Sequence, residues 1–237
     1  MKHELSVLYE DNHLLVVEKP TGLATVGVGP QENSLVKVAK EYLKQKYHKP
    51  GNVYLGVVSR LDALVSGVVV LARTSKAAGR LSEQFRAGTV RKRYWAIVSG
   101  PIERDQGTLV HWLYKDDGAK RMRAARDVPP ADSRRLQRAE LSYRVLGRMP
   151  SQALLEIELL TGRKHQIRVQ LAAEGWPIQG DKKYGSTQSF ASGIALHSVV
   201  LQLLHPSKNV GLTFRSPPPA SWRIAQFQVD FESPPRN

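Results

Sequence analysis

Short apolar runs divide the 237-residue chain into many strands and few helices. Leu5–Tyr9 and Leu14–Glu18 read as paired strands about an Asp11-Asn12 turn, and Lys19-Pro20-Thr21-Gly22 ends the second. Leu35, Val38, Ala39, Tyr42 and Leu43 recur at helical spacing, predicting a helix over Ser34–Tyr47 with Ser34 as N-cap. After Pro50-Gly51 come two nearly continuous β-branched runs, Val53–Val58 and Val68–Ala72. Such runs suit central strands buried on both faces. Ser75–Arg86 predicts a second helix, capped by Thr74 or Ser75 and ended near Gly88. Strands are expected at Tyr94–Val98, Leu141–Leu146, Ala153–Leu160 and Ile194–Leu204. Helices are expected at Arg163–Ala173, ending before Gly175, and at Pro218–Phe227. Strands in pairs with few helices between them argue for an α+β fold with a mixed, mostly antiparallel sheet, not a doubly wound one.

The stretch 114–140 breaks this pattern. It carries eight basic and five acidic side chains, few large apolar ones and Pro129-Pro130. It reads as an exposed basic loop or hairpin insertion, either a solvated excursion or a nucleic-acid contact. The chain as a whole has 35 Lys and Arg against 21 Asp and Glu, a net charge of +14. That excess attracts polyanions, above all nucleic acid. There is no cysteine, which excludes disulfides, thiolate nucleophiles and Cys-ligated zinc. The first residues, MKHELSVLYEDNH, hold no apolar signal core, and no apolar run approaches a membrane span. A cytoplasmic protein is expected.

Four segments are candidates for chemistry. Ser59-Arg60-Leu61-Asp62, followed by Ser66-Gly67, sets a carboxylate between two core strands, where it can be held rigidly for work as a nucleophile or base. A charged surface turn is the competing reading. Arg91-Lys92-Arg93-Tyr94 places three cations before an aromatic, suited to a phosphate backbone beside a stacked base; a charge-protected edge strand competes. In Leu160-Thr161-Gly162-Arg163-Lys164-His165-Gln166-Ile167-Arg168, Thr161 is a candidate cap for a helix whose first turn holds Arg163, Lys164 and His165 and favours an anion. Arg168 points away from Arg163, so one can face phosphate while the other turns inward to a carboxylate. His165 and His197 raise a Ser/His/Asp or metal reading, but no HxxxH or HExxH spacing supports a metal site. Gly175-Trp176-Pro177-Ile178, Gly180-Asp181 and Tyr184-Gly185 read as a tightly bent structural loop. There is neither a Walker A loop nor a GxGxxG.

Together and in this order, the segments resemble the RluA-type family of RNA pseudouridine synthases, from about Leu5 to about Pro219. VLYEDNHLLVVEKPTGL is similar to the start of the family's catalytic domain, and SRLDALVSG to its HRLD…TSG aspartate motif. Lys92-Arg93-Tyr94 matches its K-x-Y motif. TGRKHQIRVQLAAEGWPIQGDKKYG matches its TGR-HQIR and GD-YG segments, and IALHSVVLQLLHP its late strand. Ser59 stands where the family has His, and Val65 where it has Thr. The resemblance implies a mixed sheet with helices and loops around a central cleft. It implies a single catalytic domain over 1–237 without an N-terminal S4 module. It implies Asp62 as the catalytic aspartate, Tyr94 against the target base, and Arg168 paired with Asp62 to keep it ionised. Arg60 would fill the gap left by a flipped nucleotide, with Lys92, Arg163, Lys164 and His165 as further RNA contacts. No cofactor and no metal are implied. The partner would be RNA, ribosomal ahead of transfer RNA, for a monomer needing no protein partner. The rivals are a catalytically weakened RNA-binding or ribosome-assembly protein on the same fold, favoured by Ser59 and Val65, and an RNA hydrolase or nuclease using His165 and an acidic residue.

Overall fold

The structure, a computed structural model, describes residues 5–27, 29, 33–125 and 136–229. The chain divides into two compact units: Met1–Lys92 with Ser198–Ser216, and Arg93–His197 with Pro217–Asn237. Its described elements are strands, in hairpins and ladders that pair mostly antiparallel, with three α-helices and several 3-10 turns, as expected for an α+β fold. No helix among the described residues is long and apolar enough to cross a membrane.

In the first unit, β1 (Ser6–Glu10) pairs with β2 (Leu14–Lys19), and β2 with β4 (Ser66–Ala72). β10 (Leu196–Leu204) follows β4 and carries β11 (Gly211–Arg215). The near-continuous apolar runs are explained by helices on both sides. Leu14, Val16, Val68 and Val70 pack with Ala77 and Leu81 of α2 (Ser75–Ala87). The alternate residues Leu15, Val17, Val69 and Leu71 pack with Leu35, Ala39 and Leu43 of α1 (Leu35–Lys46). Each such side chain contributes about 1.5–3 kcal/mol of burial. Both caps are as expected: Ser34 accepts from Lys37 N, Thr74 accepts from Ala77 N, and Gly88 ends α2 in the left-handed region.

The β1–β2 turn is tied to the far end of the unit. Asp11 Oδ1 accepts from the amides of His13 and Leu14, both at 2.8 Å, and its Oδ2 lies 2.7 Å from His205 Nε2. His205 Nδ1 accepts from the amides of Ser207 and Lys208, so the ring proton sits on Nε2 and is donated to Asp11. Burial works to raise the Asp11 carboxyl, but these donors outweigh it and hold the group well below the usual carboxylate range.

One expected strand is largely absent. Of Val53–Val58 only Gly56–Val57 pairs, as β3 against Ala72 and Leu71 of β4. The segment is apolar because Val53 and Leu55 insert into the core under α1, while Tyr54 is exposed. At its end, a Cβ on Gly56 would lie 2.8 Å from Ala78 Cβ of α2.

In the second unit the strand order is β5 (Arg91–Ser99), β9 (Gln152–Leu159), β8 (Gln137–Met149), β6 (Gln106–Asp116) and β7 (Arg121–Ala125), every neighbour antiparallel. The described part of 114–140 is thus a hairpin of β6 and β7 followed by the start of β8; residues 126–135 lie outside the described residues. α3 (Gln166–Ala173) is short and mostly buried. The short helix expected within Pro218–Phe227 is two 3-10 turns, Ala220–Trp222 and Ile224–Phe227. At the β8 bulge a Cβ on Gly147 would lie 2.4 Å from Phe227 O, so the second turn packs here because position 147 has no side chain.

Candidate active site

The Arg-Leu-Asp turn lies between β3 and β4, and its backbone is pinned on both sides of the aspartate. Thr25 Oγ1 donates to Leu61 O at 2.8 Å and accepts from Leu61 N at 3.1 Å. Ala63 O accepts from Gly22 N at 2.8 Å and from Lys19 Nζ at 3.2 Å. Val65 N closes the turn onto Asp62 O at 3.1 Å. Asp62 is half-buried and Arg60 is exposed. Gly67, just after the turn, has φ +112° and would place a Cβ 2.4 Å from Ser198 O. A side chain there is excluded twice, by conformation and by contact.

Lys19 carries much of this arrangement, and the sequence reading assigned it only to the end of a strand. It is fully buried, and its Nζ donates to Pro20 O at 2.9 Å, Leu23 O at 2.7 Å and Ala63 O. Burial pulls its ammonium group down to about 8, and the negative charge of Asp62 offsets part of that. A lysine closing the apolar run Leu14–Glu18 was the available signal; ordinarily it marks an exposed strand end.

In the second unit, Tyr94 is buried on β5 opposite Ile157. Lys92, on the same strand, is half-buried, and burial lowers its ammonium. The helix expected at Arg163 begins at Gln166 instead. Gln166 Oε1 accepts from Arg163 N at 2.9 Å and from the Thr161 hydroxyl at 2.8 Å, while its Nε2 donates to Glu140 O. Thr161 therefore serves the turn and not a helix cap. His165, at φ 56°, is the residue before the helix. Arg163 and Lys164 are exposed and precede the helix. Arg163 Nε donates to Arg138 O at 3.3 Å.

Arg168 turns inward to a carboxylate. Its Nε and Nη2 meet Asp181 Oδ2 and Oδ1 at 2.7 and 2.8 Å, both side chains being buried. The Tyr184 ring lies under the guanidinium, 4.9 Å from centroid to Cζ. Asp181 and Tyr184 come from the GDKKYG loop that the sequence reading treated as structural. An acid directly after a glycine ordinarily marks an exposed turn, so no local signal pointed to the buried partner.

The chain matches the model of a family described as RNA pseudouridylate synthase over residues 13–173. It is 32% identical to the RNA pseudouridine synthase YhcT of Bacillus subtilis strain 168, over 93% of this chain and 70% of that protein. It is 33% identical to the ribosomal large subunit pseudouridine synthase D of Nitrosomonas europaea, over 91% of this chain and 62% of that one. To the dual-specificity RNA pseudouridine synthase RluA of Haemophilus influenzae it is 34% identical, over 90% of this chain and 92% of the other. The chain thus spans less than two thirds of some relatives and nearly all of another. Among solved structures, human RNA pseudouridylate synthase domain containing 4 superposes with a TM-score of 0.78 at 26% identity, covering 96% of this chain and 95% of that one. With its family model covering more than half its length, this chain belongs to the RluA-type family of RNA pseudouridine synthases.

Proposed function

We propose that the protein isomerises specific uridines to pseudouridine in structured RNA, with Asp62 as the catalytic carboxylate and no cofactor. The observation that carries this reading is the fixed turn around Asp62, whose flanking carbonyls and amide are held by Thr25, Gly22 and Lys19. A carboxylate on so constrained a backbone is already oriented for attack or proton abstraction. The reaction breaks the C1′–N1 bond of uridine, turns the base and forms C1′–C5; the C5 hydrogen leaves as a proton and N1 gains one. Atoms and electrons balance within the substrate, so no group or electron donor is required.

The target uridine must leave its stack, at a cost of a few kcal/mol. Arg60, exposed beside Asp62, fills the gap. Tyr94 contacts the extruded ring and assists loss of the C5 proton, and Arg168 pairs with Asp62. Lys92, Arg163, Lys164 and His165 contact the RNA, where phosphate binding makes affinity fall steeply with salt. Relatives named for the ribosomal large subunit favour ribosomal RNA over transfer RNA as substrate. We place the enzyme in the cytoplasm, acting as a monomer.

The test uses RNA carrying tritium at uridine C5. Incubation of the wild-type protein with ribosomal and transfer RNA should release label to water, with ribosomal RNA the better substrate. Intact binding with no release from either RNA would favour the non-catalytic RNA-binding reading, to which Ser59 and Val65 lend support.

A further inference from the structure

We propose that Tyr184 is a positioning residue that couples the β6–β7 hairpin to Arg168. The residue ends the 3-10 turn Lys182–Tyr184 and is buried at 7% exposure. Its ring backs the guanidinium of Arg168 while Asp181, three residues earlier, grips the same group by two bonds. A bidentate carboxylate fixes a guanidinium in its plane but leaves it free to rock about the line of the pair; an aromatic face opposes that rocking. Two residues of one short loop therefore define the orientation of Arg168.

The hydroxyl group reaches elsewhere. It lies 2.7 Å from His165 Nδ1 and accepts the amide of Met122, on β7, at 3.3 Å. In the proposed coupling the phenol, accepting from Met122, gives its proton to His165 Nδ1, and that ring carries its own proton on Nε2. A second tie runs from Lys183 Nζ to Lys120 O, in the hairpin turn, at 3.1 Å. Met122 and Ala124 of the hairpin also pack against a small core of Leu113, Ala139, Val169 and Tyr184. The hairpin turn presents Lys120 to solvent, so an RNA strand held there pulls on the same loop that orients Arg168.

This inference rests on the catalytic reading of Arg168, and its test separates the two. In the whole protein without RNA, ring nitrogen shifts should show His165 protonated at Nε2 in the wild type. In Tyr184→Phe they should show that preference lost and amide exchange at Met122 quickened at least tenfold, with β9 unchanged. With RNA, Tyr184→Phe should raise KM about fivefold and affect kcat less. Tyr184→Leu, which also removes the ring, should lower kcat at least tenfold. Unchanged His165 and Met122 signals in Tyr184→Phe would overturn the coupling. So would faster exchange throughout the unit, which a merely structural residue would give. A wild type without activity would overturn the catalytic reading alone, while the RNA-free signals still decide the coupling of the hairpin to the loop.

Discussion

Replacing Asp181 with alanine removes two oxygens that grip the buried Arg168 guanidinium. The Arg168 side chain is 5% exposed and that of Asp181 is 1%, so water cannot substitute without opening the loop. Two charge-assisted bonds at 2.7 and 2.8 Å to a desolvated cation are lost. Breaking such a pair from one side costs about 3–5 kcal/mol, a large part of the usual stability of a domain. All four tryptophans, Trp95, Trp112, Trp176 and Trp222, lie in the same compact unit as the pair, so urea unfolding followed by tryptophan fluorescence reports the unit that is perturbed. The double variant Arg168→Met with Asp181→Leu replaces the pair with apolar side chains of similar volume. With the single variants Arg168→Met and Asp181→Leu closing the cycle, it should recover part of the loss, giving a coupling energy of at least about 2 kcal/mol between the sites. A midpoint shift in Asp181→Ala worth less than about 1 kcal/mol, or additive effects in the double variant, would refute the ion-pair reasoning.

Lys19→Met leaves three carbonyls without their buried donor and should cost about 2 kcal/mol, with product formation down at least tenfold as the Asp62 turn loosens. Thermal unfolding and initial rates check this, and a variant as active as wild type would separate Lys19 from the site. Asp11→Asn should lower stability by about 1–2 kcal/mol at pH 7. Because the folded-state carboxyl sits below its unfolded value, its stabilisation is complete above the unfolded value of about 4 and fades as pH falls below it. Urea curves for wild type and Asp11→Asn should therefore converge in acid, and a constant gap from pH 7 to pH 2 would contradict the assignment. Gly67→Ala drives a methyl group into the Ser198 backbone at positive φ and should cost about 3 kcal/mol or more, read as a lowered Tm; an unchanged Tm would show that β4 has room to shift.

Local chemistry made much of the fold legible. Ser34, Thr74 and Gly88 announced helix ends because caps satisfy backbone groups within three or four residues. The run Leu14–Glu18 announced a strand, and Val68–Ala72 one covered on both faces, as α1 and α2 cover it. Val53–Val58 has the same apolar, β-branched character, but only Gly56–Val57 joins a ladder, while Val53 and Leu55 are apolar because they enter the core under α1, a long-range fact invisible in the segment itself. The helix at Arg163 misled for a similar reason. Thr161 looked like a cap, but Gln166 satisfies the turn by reaching Glu140 on another strand. In the candidate site, the residues named from motifs were visible, while their supports were not. Lys19 and Asp181 act through long-range geometry, and burial reverses what a lysine or an aspartate in a turn ordinarily signifies.

The most direct measurement compares wild type and Asp62→Asn on RNA tritiated at uridine C5, following label release alongside RNA binding. The substitution keeps the size of the side chain and removes only its charge and its capacity as nucleophile or base. The account expects label release from the wild type, none above background from Asp62→Asn, and RNA affinity within about threefold. Release from Asp62→Asn at a rate near that of the wild type would contradict it.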